Sequence, residues 1–120
     1  MSNNVTIQSC MDKIKSFCDA RDWDQFHNAK DLAIGISTEA GELLDLFRFK
    51  SLDDIETIFE RPEKRTKVEE EIADVFFFVL RFAQMNDIDL NSALEMKLHK
   101  NNEKYPAEQV KGKNLKYNEY

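Results

Sequence analysis

Two pairs of acidic residues recur at one spacing in this chain, Glu39 with Glu42 and Glu71 with Asp74. Residues three apart are neighbours on a helix surface, so each pair forms a two-carboxylate claw if its segment is helical. Apolar residues flank both pairs, Ile36, Ala40 and Leu43 around the first and Ile72, Val75 and Phe76 around the second. Both claws therefore border surfaces that favour burial. Carboxylates crowded against a core repel one another and lose hydration, and a bound cation compensates for that cost. Four oxygen donors suit a hard divalent ion, Mg²⁺ first and Mn²⁺ second, rather than zinc. Mg²⁺ held by few carboxylates completes its shell with water and substrate phosphate. The bland reading, two solvated helix faces, stays open on spacing alone in a chain with 23 acidic residues. Against it, Glu39 and Glu42 stand in the otherwise uncharged run AIGISTEAGELL. Gly35 and Gly41 in the same run each cost about 1 kcal/mol relative to Ala inside a helix, which predicts close approach by a neighbouring helix or a ligand. A di-iron bundle would need Glu-x-x-His on two helices, whereas here Glu42 and Asp74 occupy the third position after Glu39 and Glu71.

The elements that must position these claws read as helices. Ile7, Met11, Ile14, Phe17 and Cys18 make an apolar stripe over a first helix from about Thr6 to Arg21. The segment RDWDQFHNAKD is too irregular to continue it. A second helix, about Ala29 to Phe47, carries the first claw. A short helix over Ser51–Phe59 has Ser51 as its N-cap, and Pro62 ends it or starts the next turn. A third main helix, about Arg65 to Asn86, opens on a charged KVEEE run and then becomes nearly all apolar in IADVFFFVLRFA. A fourth runs from Leu90 to Lys104, stopped by Tyr105-Pro106. The expectation is an all-α fold of the four-helix-bundle type, with residues 1–106 as one domain and 107–120 as a Lys-rich tail of little regular structure. Phe76, Phe77, Phe78, Val79, Leu80 and Phe82 cover more of one helix than three short neighbours can bury. That predicts a homo-oligomer, at least a dimer.

Composition narrows the function. At 120 residues the chain is the size of one domain, and only three Gly and two Pro leave few turns for a sheet. A net charge of -6 argues against general nucleic-acid or anionic-membrane binding. The longest apolar run, Val75–Leu80, is too short to cross a bilayer. Cys10 and Cys18 form neither a CxxC pair nor a disulfide framework and read as reduced, partly buried thiols. The start MSNNVTIQSC lacks the pattern of a signal peptide, so a cytoplasmic location is expected.

Two further clusters could meet a nucleotide. Lys97, Asn101 and Lys104 share one helix face and offer two charges and an amide to phosphate oxygens. A basic helix end complementing its own dipole explains the same residues. Trp23, Phe26 and His27 gather in the irregular segment before the first claw, where they either stack on a base or plug the end of the bundle. No Gly-rich phosphate loop is present.

Taken in order, RDWDQFH, STEAGELLDLFRFK, EEEIADVFFFVLRFA and KLHKNNEKYP resemble the MazG-like all-α nucleoside triphosphate pyrophosphohydrolases, in particular the small dCTP-pyrophosphatase-like branch. The resemblance covers about residues 17 to 106. It implies that Glu39, Glu42, Glu71 and Asp74 bind Mg²⁺ in a helical bundle assembled as a dimer or tetramer. The implied reaction is hydrolysis of a (deoxy)nucleoside triphosphate between the α- and β-phosphates, with Glu39 orienting the water. Lys97, Asn101, Lys104 and Tyr105 match a phosphate-holding stretch, to which Lys30 adds a contact. Trp23 and His27 match positions near base and sugar. Phe49 stands where relatives often carry Trp, Phe78 where Tyr is frequent, and Asp31 where Asn is common; these departures touch the expected base pocket and leave the base unassigned. An interaction module that kept the fold without catalysis is the alternative from another class.

Overall fold

Four of the described helices begin where a side chain accepts from the backbone N–H groups that a first turn leaves unpaired. In the computed structural model, which describes residues 4–114, 116, 118 and 119, α1 spans Ile7–Asp19 behind a Thr6/Ser9 capping box. A single 3₁₀ turn, Asp24–Phe26, follows. α2 spans Ala29–Asp45, capped by Asn28, whose side chain accepts from the Asp31 N–H at 2.9 Å. α3 covers Leu52–Glu60 behind a Ser51/Asp54 capping box. Pro62 opens α4, Pro62–Met85, in the first turn, where its missing N–H forfeits no intrahelical bond. α5 covers Leu90–Lys104 with Asp89 as its cap. The one-turn α6, Ala107–Val110, gives the tail a helical start; Leu115, Tyr117 and Tyr120 lie outside the described residues. The described residues form helices and no strand, as the all-α expectation requires.

The chain divides into two units, Met1–Asp87 and Ile88–Tyr120. In the first, α2 packs along α4 more extensively than any other pair of elements, and α1 and α3 also pack on α4. Its core is small: Met11, Cys18, Leu32, Ile58, Leu80 and Ala83. The second unit consists of α5 and α6, and α5 exposes Leu94, Met96 and Leu98. Cys10 and Cys18 are both free thiols, and burial pushes Cys18 above its ordinary pKa. No helix among the described residues is long and apolar enough to cross a membrane.

Of the greasy stretch in α4, Leu80, Arg81 and Ala83 are buried. Phe77, Phe78, Val79 and Phe82 are half-buried, and Phe76 is exposed beside Ile72. Ile72, Ala73, Val75, Phe76 and Val79 line an open apolar groove on this helix.

Candidate metal centre

The approach of α2 to α4 is set by Gly35. A Cβ at that position would lie 2.6 Å from the Phe78 ring, inside van der Waals contact, so only glycine lets the ring seat there. One turn on from Gly35 is Glu39, and one turn back from Phe78 is Asp74. One oxygen from each of Glu39, Glu42, Glu71 and Asp74 can be chosen so that all four lie within 4.8 Å of one another. The two helices therefore run antiparallel, and their claws meet. A Cβ added at Gly41 would meet nothing within 4 Å, so of the close approaches expected at both glycines the described residues of the chain supply the one at Gly35 only.

The cluster grades from the core to solvent. Glu71 is 6% exposed, Glu39 is half-buried, and Glu42 and Asp74 are open. Glu71 Oε1 pairs with Lys67 Nζ at 3.2 Å, and that bond raises the lysine pKa above its ordinary value. Glu39 Oε2 and Glu71 Oε2 are buried with no hydrogen-bond donor. A carboxylate oxygen withdrawn from water and given no donor is strongly destabilising. Hydrogen bonding to Glu39, then its charge, then the same two effects from Glu71, push the Glu42 carboxyl from an ordinary 4.5 to about 7. Crowded, under-satisfied oxygen donors of this kind fit a divalent cation, which would supply the missing charge to both orphaned oxygens.

Around the 3₁₀ turn, the Trp23 ring meets Phe17 edge-on at 5.5 Å and His27 at 6.0 Å. Both readings of this segment keep some support, since Trp23 packs on α1 yet remains 36% exposed. His27 Nδ1 accepts from Arg81 Nε at 2.8 Å. The same guanidinium pairs with Asp24 and donates to Gln84 Oε1 at 2.7 Å. Arg81, Asp24 and Gln84 were not read from sequence as functional. The available signal was one arginine inside IADVFFFVLRFA, where a charge needs a partner.

The other candidates lie apart in character. Phe49 is 91% exposed at a positive φ of 64°, with the Arg48 guanidinium 4.6 Å from its ring centre. Phe78 packs on Gly35 and meets Phe77 edge-on at 5.3 Å. Lys30 is exposed in the first turn of α2. In the second unit, Lys97, Asn101 and Lys104 share a face of α5, and the Tyr105 N–H closes that helix on the Asn101 carbonyl at 2.7 Å. Lys97 and Lys104 are exposed, and Asn101 and Tyr105 are half-buried.

Residues 34–120 match the model of the MazG-like family. The chain belongs to the MazG-like family. Its fold is similar to that of a pyrophosphatase from Archaeoglobus fulgidus, with a TM-score of 0.78 and 34% identity over 88% of this chain and 97% of that one. Among curated proteins, this MazG-like chain is 33% identical over 101 residues to dCTP pyrophosphatase 1 of Rattus norvegicus, covering 84% of this chain and 59% of the relative. It is 32% identical over 103 residues to dCTP pyrophosphatase 1 of Homo sapiens, covering 86% and 61% respectively. The match thus spans about three-fifths of the length of these mammalian relatives.

Proposed function

We propose that this chain is a Mg²⁺-dependent nucleoside triphosphate pyrophosphohydrolase. It would cleave (d)NTPs to (d)NMP and pyrophosphate, clearing surplus or non-canonical nucleotides from the pool. The observation that carries this reading is the four-carboxylate cluster with its two orphaned buried oxygens. Membership of a family with pyrophosphatase-named relatives supports it.

Glu39, Glu42, Glu71 and Asp74 would hold the Mg²⁺, with Mn²⁺ as the second fit. The bound ion would neutralise phosphate charge and polarise the phosphoryl oxygens. Glu39, whose inward Oε2 lacks a protein donor, orients the water that attacks at the junction of the α- and β-phosphates. Lys30, Lys97, Asn101, Lys104 and Tyr105 hold phosphates, and Trp23, His27, Phe49 and Phe78 contact base and sugar. Residues 1–106 would serve as one catalytic domain, with 107–120 as its Lys-rich tail. The working form is a cytoplasmic homo-oligomer, dimer or tetramer, a reading supported by the exposed Ile72 and Phe76.

The test is a product assay on purified protein with Mg²⁺ and a panel of dNTPs and NTPs. Equal amounts of monophosphate and pyrophosphate are expected. Release of inorganic phosphate instead would point to a phosphatase. Absence of turnover by folded, metal-supplied protein would favour the interaction module.

A further inference from the structure

We propose that Arg81 is a positioning residue that fixes His27 as its neutral Nε2–H tautomer, so that His27 meets the substrate nucleoside as a hydrogen-bond donor to an acceptor oxygen or nitrogen. This deepens the assignment of His27 to base and sugar and rests on it.

Arg81 is 1% exposed, yet its guanidinium reaches three other side chains. Its Nε donates to His27 Nδ1 at 2.8 Å, and its Nη2 pairs with Asp24. These two groups lie on one edge of the rigid guanidinium fork, and they grip the first residue of the 3₁₀ turn and the residue that caps it. On the far side Nη1 donates to Gln84 Oε1, and Gln84 Nε2 donates to the Met11 carbonyl at 2.9 Å. Arg81 and Gln84 together thus tie the Trp23–His27 segment to both α4 and α1. Asp24 is exposed while Arg81 is buried, and an ion pair with one partner open to water adds little net stability, so its main consequence is geometric.

That geometry decides the imidazole proton. A guanidinium is always charged, and its Nε–H only donates. Nδ1 must therefore present its lone pair, which leaves the single ring proton on Nε2. Protonating Nδ1 as well would set N–H against N–H and put a second positive charge beside a buried one. Burial, then the Arg81 charge, hold the His27 pKa below its ordinary 6.5, with Asp24 opposing in part. The Nε2–H makes no hydrogen bond among the described residues, and the Trp23 ring meets the imidazole edge-on. The segment presents a flat ring and an adjacent fixed donor.

The chain has two histidines, so long-range ¹H–¹⁵N spectra of labelled protein contain two imidazoles, assigned with His99→Gln. His27 is expected to show an unprotonated Nδ1 and a protonated Nε2. The opposite tautomer, or fast averaging of the two, overturns the proposal. Arg81→Lys removes the fork: the tautomers should then average and KM for the best dNTP rise about tenfold, the loss of one good hydrogen bond, while kcat stays within about threefold. Asp24→Asn leaves the Nε–Nδ1 bond in place and should keep the wild-type tautomer. Arg81→Lys with wild-type tautomer and KM counts against the proposal. Should that variant not fold, His27→Gln and His27→Asn decide. The Gln amide can stand where Nε2–H does and should keep the higher kcat/KM; equal losses reject a donor role. If wild-type protein shows the Nε2–H tautomer but turns over no nucleotide, Arg81's control of His27 is upheld and the nucleoside as its acceptor is overturned.

Discussion

Glu42 carries the clearest electrostatic consequence of the fold. With its folded pKa raised from 4.5 to about 7, the native state binds a proton there more tightly than the unfolded chain does. Stability from that proton is therefore present below about pH 4.5 and is lost as pH rises through about 7. Thermal melts of metal-free protein should show this group lowering Tm across that window, and millimolar Mg²⁺ should remove the loss at pH 8. A Tm trend across the window identical in wild type and Glu42→Gln would contradict it. The sign reverses for metal binding: the ion competes with the proton, so Mg²⁺ affinity should fall as pH drops below about 7. Glu42→Gln and Asp74→Asn should each lower turnover by at least about 100-fold, since supporting residues around metal ligands already cost 10–100-fold, while circular dichroism retains the helical content. Variants that remain active would mean that the claws are not the catalytic site.

At the scale of the element, two glycines six residues apart on α2 have opposite surroundings. Gly35→Ala drives a methyl group into the Phe78 ring and should destabilise the protein by about 1–3 kcal/mol, the usual range for overpacking. Urea unfolding would measure this, and a parallel loss of activity is expected because Glu39 and Asp74 sit one turn from the displaced contact. Gly41→Ala meets open space and should stabilise the helix by up to about 1 kcal/mol. Destabilisation or dissociation by Gly41→Ala would instead reveal a second copy of the chain packed there. The helices themselves were legible: Ser51 as a cap, Tyr105-Pro106 as a stop and the period of α1 all come from local chemistry. What was not legible was that Pro62 begins α4 rather than ending α3, because proline is accommodated in a first turn and after a last one alike.

For the molecule as a whole, the core is thin for a chain of this length, and Ile72 and Phe76 remain 50% and 45% exposed. Apolar surface of this kind is stabilised by burial against another copy. Light scattering should return at least a dimer at micromolar concentration, and Phe76→Glu should shift it toward monomer. A wild-type monomer would defeat the oligomer. Binding of a non-hydrolysable triphosphate with Mg²⁺ should raise Tm, by mass action on the native state, with about 2.7 kcal/mol expected at 100 times Kd. No shift at millimolar ligand would favour the interaction module.

The residues alone determined the helical class, the four carboxylates and the family, because all three rest on local spacing: a three-residue step defines a helix face wherever the helix lies. Whether the two claws meet depends on how α2 lies against α4, and no local rule contains that register. It follows from Gly35 seating against Phe78, a contact between residues 43 positions apart. The same limit hid the tie of Arg81 to Asp24 and His27, since the arginine's isolation among apolar neighbours shows that it needs partners without saying which. Tertiary packing decided those pairings, for charge and shape complementarity act across space rather than along the chain.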